Sequence, residues 1–190
     1  IIEDQSNRLI HLVENVLSVS KMNAGGEVLK KVDVNDVIKR IIPMFTEQYK
    51  TRKFVQKLNS SLPQARLDED KFQQILTNLI DNAAKYSTDG KTVTISTELS
   101  ENFVEIKITD EGVGIKQEDF DKVFKKFSRL ENHLTSTTQG NGLGLYITKQ
   151  LVENMGGQIS FTSEINKGTT FRVLMPVYNQ EEVLRCSHKS

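Results

Sequence analysis

From Thr92 onward the apolar residues recur at every second position: Val93, Ile95 and Leu99, then, beyond Ser100-Glu101-Asn102, Val104, Ile106 and Ile108. Successive strand side chains point to opposite faces, so the pattern predicts an antiparallel hairpin with one apolar face. Asp110 shares the parity of Val104, Ile106 and Ile108, which puts a carboxylate at the end of an inward-pointing row. A second hairpin is predicted from Gln158 to Ser163 and from Thr169 to Pro176, around Glu164 to Gly168. Its inward candidates are Ile159, Phe161, Phe171, Val173 and Met175, and Thr169 has their parity.

The stretches between are helical in period. Val37, Ile38, Ile41, Ile42, Phe45 and Tyr49 predict a helix over 36–51, with Asn35 as its N-cap and an interior Pro43 that should remove a hydrogen bond and kink it. Lys31 to Val34 and Phe54 to Leu58 read as strands, Ser60 to Ala65 as a loop, and Asp68 as the cap of the next helix. In that helix, Gln73 to Ser87, Phe72, Leu76, Leu79 and Ala83 share one side at about 100° per residue, while Asn78, Asn82 and Lys85 share another, with Tyr86 at its edge. Asparagine competes for backbone hydrogen bonds and is a mediocre helix residue. Two on one stripe read either as a solvated face or as a polar binding face.

Three further segments carry glycine or aromatic punctuation. Asp110-Glu111-Gly112-Val113-Gly114-Ile115 reads equally as an Asp-Gly turn or as a backbone shaped to approach a ligand. Phe120 to Phe127 is predicted helical, and Ser128 to Gln139 a long polar loop of functional type. That loop runs into Gly140-Asn141-Gly142-Leu143-Gly144-Leu145 and a helix carrying Leu145, Ile147, Leu151, Val152 and Met155. Glycines at a helix start expose N–H groups at the positive end of the dipole, where phosphate binds readily. The motif lacks the Lys-Ser/Thr of the phosphate loop and the preceding tight strand of a dinucleotide fold.

Composition narrows the class. Lys plus Arg equals Asp plus Glu at 25 each, so no global field recruits nucleic acid. Cys186 alone cannot form an internal disulfide, and His11, His133 and His188 make no metal spacing. Residues 1–24 carry a heptad-like seam, Ile2, Leu9, Val16 with Gln5, Leu12, Val19, ended by Ala24-Gly25-Gly26. This helix either joins a bundle supplied by a homodimer or folds onto its own domain. A start at Ile1 without Met, and without a signal peptide, is expected of a piece of a longer protein.

The ordered series N-L-I-D-N-A-A-K-Y, D-E-G-V-G-I, F-K-K-F-S-R, G-N-G-L-G-L and G-T-T-F resembles the ATP-binding catalytic domain of bacterial sensor histidine kinases, within the superfamily of gyrase, the Hsp90 chaperones and MutL. The resemblance implies an α/β two-layer sandwich, with a mixed, mainly antiparallel sheet and helices on one face. That domain would span 31–177, preceded by residues 1–26 as the truncated second helix of a dimerisation and phosphoacceptor hairpin and followed by a polar tail, 178–190. It implies ATP and Mg²⁺ as ligands, with Asn82 on the metal and Asn78 assisting at metal and phosphates. Lys85 would meet phosphate, Tyr86 the adenine ring, and Asp110 the adenine amino group in a pocket shaped by Gly112, Gly114 and Ile115. Phe124 and Phe127 would anchor a lid, and Arg129 would lie by the transferred phosphate. Gly140, Gly142, Leu143, Gly144 and Leu145 would wrap the phosphates, and Thr169 would buttress Asp110.

Within the superfamily the ATP-hydrolysing branches hold a water-activating glutamate where this chain has Asn78, which cannot act as a base. The resemblance therefore points to phosphoryl transfer, to a histidine on a neighbouring hairpin and on to a response-regulator receiver aspartate. The acceptor motif H-E-x-x-T/N-P is absent, and His11 in I-H-L-V-E is expected on a helix surface. The chain should thus bind Mg-ATP without autophosphorylating, as the cytoplasmic part of a membrane-anchored, homodimeric bacterial sensor. The alternative is a non-catalytic nucleotide-sensing or dimerisation module.

Overall fold

The computed structural model describes residues 28–128 and 142–179. Five strands form one sheet in the order β2-β4-β5-β7-β6: β2 (Lys53–Leu58), β4 (Thr92–Ser100), β5 (Phe103–Asp110), β6 (Gln158–Glu164) and β7 (Gly168–Pro176). β2 runs parallel to β4 and the other neighbours are antiparallel. A separate antiparallel pair, β1 (Lys30–Val32) and β3 (Ala65–Leu67), meets the end of β7 through an Ala65 to Val177 bridge.

Strand register turns the alternating sequence into transverse rows on the helix-facing side of the sheet. Ile95, Ile108, Phe171 and Phe161 form one row, and Thr97, Ile106, Val173 and Ile159 the next. Ile95, Ile106, Ile108 and Val173 are wholly buried, each contributing roughly 1.5–3 kcal/mol of apolar burial. Leu99 has the same parity but lies beyond the helical cover and is exposed. The opposite face is polar: a Thr109 to Thr170 hydroxyl pair lies there, with Glu105 held between Lys107 and Arg172. One apolar face and one polar face make this the two-layer α/β sandwich expected from the sequence.

Three helices cover the apolar face: α1 (Val34–Gln48), α2 (Glu69–Tyr86) and α3 (Gly144–Asn154). The N-cap of α1 is Asp33 rather than Asn35, its carboxylate accepting from the N–H groups of Asn35 and Asp36. Asn35 is instead buried, donating to the Asn59 carbonyl and accepting from the Thr97 hydroxyl, a tertiary use that local pattern does not reveal. The helix runs through Pro43 to Gln48 because the ring sits on the exposed side, where water can serve the Lys39 carbonyl left without its donor.

Two further expectations are corrected. Ala65–Leu67 is a strand, too short for any period to signal, held by pairing with β1. Phe120 to Phe127 is not an α-helix: a 3₁₀ turn spans Gln117–Lys122, and turns follow it. Aromatic packing fixes that segment, with Phe120 and Phe124 edge-on to Phe161 at 4.9 and 5.8 Å between ring centres. The heptad helix, His11, Arg129, Gly140 and the end of the polar tail lie outside the described residues.

Candidate functional site

The site lies where α2, the loop after β5 and the start of α3 converge. Asp68 caps α2 by accepting from Lys71 N–H, and Glu69 and Asp70 complement the helix dipole. Phe72, Ile75, Leu76, Leu79 and Ile80 are buried, so the helix is pinned, while Asn78, Asn82, Lys85 and Tyr86 are half-buried along another side. The stripe read from the sequence is thus present on the folded helix.

The far end of α2 is clamped. Arg52 donates to the Ala84 and Ser87 carbonyls and pairs with Asp89 at 2.5 Å, taking up carbonyls that a helix end leaves without partners. Lys85 pairs with Asp81 at 2.5 Å, and the other Asp81 oxygen accepts the Tyr49 hydroxyl at 2.6 Å. The Tyr49 hydroxyl loses its proton less readily than usual, through burial first and then its bond to Asp81. The Tyr86 carbonyl accepts Val113 N–H, and a Cβ at Gly112 would collide with that carbonyl. The tight approach of the post-β5 loop to α2 therefore requires glycine there.

Asp110 closes the apolar row of β5, 5% exposed. Its Oδ1 accepts from Gly112 N–H at 2.8 Å and Thr169 N–H at 3.2 Å. Burial raises the carboxyl from 3.8 to about 6 and outweighs these two bonds, which lower it. Both bonds fall on one oxygen, so Oδ2 stays outside the cage as an acceptor.

The turn between β6 and β7 braces the loop from the other side. Asn166 N–H bonds the Val113 carbonyl, and Ile115 N–H bonds Ser163 Oγ at 2.8 Å. Gly114, at φ +70°, packs against the Glu164 carbonyl, and Gly168, at φ +114°, against the Asp110 carbonyl. Thr169 contacts Asp110 through its backbone N–H, while its hydroxyl pairs with Ser163 at 2.8 Å. Ser163 and Gly168 escaped the sequence reading, although counting parity onward from Phe161 puts Ser163 on the inward face beside Thr169.

At the other end, Asn78 Nδ2 donates to the buried Thr148 hydroxyl of α3 at 2.6 Å. A Cβ at Gly144 would lie 2.5 Å from Asn78 Oδ1, so the glycine admits the asparagine against the first turn of α3. Leu143 precedes that helix, whose first-turn N–H groups lie at the positive end of its dipole, where anions bind readily. Leu143 is buried and Leu145 half-buried, packed on the core. Gly142, at φ +70°, sits against the backbone of Phe127 and Ser128, so the described ends on either side of 129–141 meet. Phe124 is anchored on Phe161 and Phe171, while Phe127 is 69% exposed and stands outside that aromatic cluster. The assembled features are a buried carboxylate, a lysine and two amides along one helix, and the start of a second helix.

Residues 67–179 match the family described as "Histidine kinase-, DNA gyrase B-, and HSP90-like ATPase". The signal transduction histidine-protein kinase ArlS of Staphylococcus haemolyticus is 33% identical over 173 residues, 90% of this chain and 38% of the relative. The chain therefore spans less than two-fifths of the length of that relative. Among solved structures, Acinetobacter baumannii histidine kinase AdeS matches 93% of this chain and 82% of its own at 26% identity and TM-score 0.75. The mycobacterial sensor histidine kinase MprB matches 80% of this chain and 100% of its own at 27% identity and TM-score 0.69. The chain belongs to the histidine kinase-, DNA gyrase B- and HSP90-like ATPase family, with the catalytic-domain fold of the sensor histidine kinases.

Proposed function

We propose that residues 31–177 form the ATP-binding kinase module of a two-component sensor. What supports this reading is that α2 meets a caged, buried Asp110 region at one end and the Gly144 start of α3 through Asn78 further back, the first read as the adenine acceptor and the second as the phosphate-binding helix start. Asp110 Oδ2 accepts the adenine amino group, Tyr86 packs by the ring, and Gly112, Gly114 and Ile115 shape that end. Lys85 leaves Asp81 to meet phosphate, and the Gly142 to Leu145 segment at the start of α3 wraps the phosphate oxygens, with Gly140 a candidate to join it. Arg129 is the candidate positive group for the phosphoryl transferred.

The donor set suits Mg²⁺ delivered with the nucleotide. Among the described residues no group of three or more acidic, histidine or cysteine side chains could hold a metal unaided. Asn82, with Asn78 beside it, offers hard amide oxygen, and phosphate oxygens complete such a shell. The ion would neutralise charge on the phosphates. Asn78 provides no carboxylate to activate water, so the residues present favour transfer to a positioned acceptor over hydrolysis.

The acceptor is a histidine on the dimerisation hairpin of the same kinase, to which residues 1–26 are assigned, and the phosphoryl group passes on to a receiver-domain aspartate of a response regulator. The parent is a homodimer with this module on the cytoplasmic side of a bacterial membrane. Among the described residues no helix is long and apolar enough to cross a membrane. Calorimetric titration with ADP tests the site. One site is expected, with affinity at least roughly tenfold higher with Mg²⁺ than with chelator. Asn82→Ala should erase that difference; an undiminished Mg²⁺ effect in the variant would remove Asn82 from the metal.

A further inference from the structure

The apolar rows of the sheet end in a polar one: Asp110 on β5, Thr169 on β7 and Ser163 on β6 all lie on the helix-facing side. Ser163 Oγ has three partners, Ile115 N–H at 2.8 Å, the Gly168 carbonyl at 3.0 Å and the Thr169 hydroxyl at 2.8 Å. A hydroxyl has one hydrogen and two lone pairs. An amide N–H can only donate, and a carbonyl oxygen can only accept. The Ser163 hydrogen therefore goes to the Gly168 carbonyl, one lone pair takes Ile115 N–H, and all three bonds coexist only if Thr169 donates to the remaining lone pair.

That assignment commits the only hydrogen of the Thr169 hydroxyl. Its backbone N–H is already committed to Asp110 Oδ1. Of these groups, the Thr169 oxygen and the Asp110 carboxylate keep acceptor capacity alone. A base edge carrying an amino group complements such a wall. A keto oxygen at the same place would face the lone pairs of these two groups.

We propose that Ser163 sets the base specificity of the site, acting at a distance from the ligand: by taking the Thr169 hydrogen it makes the recognition wall acceptor-only and so selects a 6-amino over a 6-keto purine. This rests on the reading of the cleft as a nucleotide site. Ser163 is a positioning residue, and Thr169 is the group it orients.

ADP and IDP differ at C6, amino against keto, and with it at N1, a bare acceptor in ADP and an N–H in IDP; the Ser163 and Thr169 variants read the contribution of the wall against that fixed difference. Both are titrated with Mg²⁺ at pH 8 into the unaltered chain, Ser163→Ala and Ser163→Thr. The unaltered chain should prefer ADP by roughly a hundredfold. In Ser163→Ala the Thr169 hydroxyl is released to donate to the keto oxygen, so the preference should fall by roughly tenfold while ADP affinity changes less than about threefold. Ser163→Thr keeps the hydroxyl and should keep the preference. Thr169→Val, which leaves the other Ser163 bonds in place, provides a second route and should also lower it. Equal weakening of ADP and IDP in Ser163→Ala, with the preference unchanged, would make Ser163 a structural prop and overturn the inference alone. No ADP binding by the unaltered chain would overturn the nucleotide reading and this inference with it.

Discussion

Asp110→Asn is expected to stabilise the nucleotide-free domain at pH 7.5 and to weaken Mg-ADP binding by on the order of a hundredfold. The two effects have one cause. The Asp110 carboxyl ionises at about 6 in the fold against 3.8 in the unfolded chain. As pH rises from about 4 the unfolded chain gives up this proton first, so the group's contribution to stability falls until about pH 6 and stays low above it. A shift of roughly two units corresponds to about 3 kcal/mol, and part of it should return when the charge is removed, about 1–2 kcal/mol. The gain should vanish below about pH 4, where both forms are neutral. Binding fails because Gly112 and Thr169 N–H groups hold the asparagine oxygen at the Oδ1 place. The amide nitrogen then occupies the Oδ2 place and turns donors toward a donor. Thermal unfolding across pH and calorimetric titration measure the two halves, and unchanged ADP affinity would remove Asp110 from base recognition.

Gly168→Ala should cost about 3 kcal/mol or more, with loss of the Asp110 cage. The position has φ +114°, and a Cβ there would overlap the Asp110 carbonyl oxygen and press on Glu111 Cα. Both neighbours are backbone, so neither can swing aside. Gly90 is the internal comparison, since its φ of +78° is also left-handed but nothing lies within 4 Å of its Cβ position. Gly90→Ala should cost only about 1 kcal/mol, the conformational penalty alone. Urea midpoints at constant m-value separate the two. Equal costs would mean that the β6–β7 turn yields to the new methyl group and does not brace the site rigidly.

How much of this was legible depends on the range of the signal. Strand parity is strictly local, so the inward place of Asp110 and Thr169 follows from counting along Val104 to Ile108 and Phe171 to Met175. Helical period likewise put Asn78, Asn82 and Lys85 on one side of α2. Tertiary hydrogen bonds leave no such trace. Asn35 looked like a cap because caps are polar, yet Thr97 and Asn59, far away in sequence, claim its side chain. The role of Ser163 appears only once Ile115 and Gly168 are beside it. Phe120, Phe124 and Phe127 have helical spacing, but ring packing on Phe161 and Phe171 decides the backbone there. Asp81 is drawn to Lys85 by ordinary i,i+4 pairing, and its second partner, Tyr49, comes from another helix.

The proposed reaction moves a phosphoryl group from ATP to a histidine outside this domain. Incubation of the chain with γ-labelled ATP, Mg²⁺ and a separately purified hairpin fragment carrying the acceptor histidine tests it most directly. The P–O bond to ADP should break and a P–N bond form, so the expected result is acid-labile label on the hairpin and none on this chain. ATP bound with no label on the hairpin, or label released as free phosphate, would contradict the account.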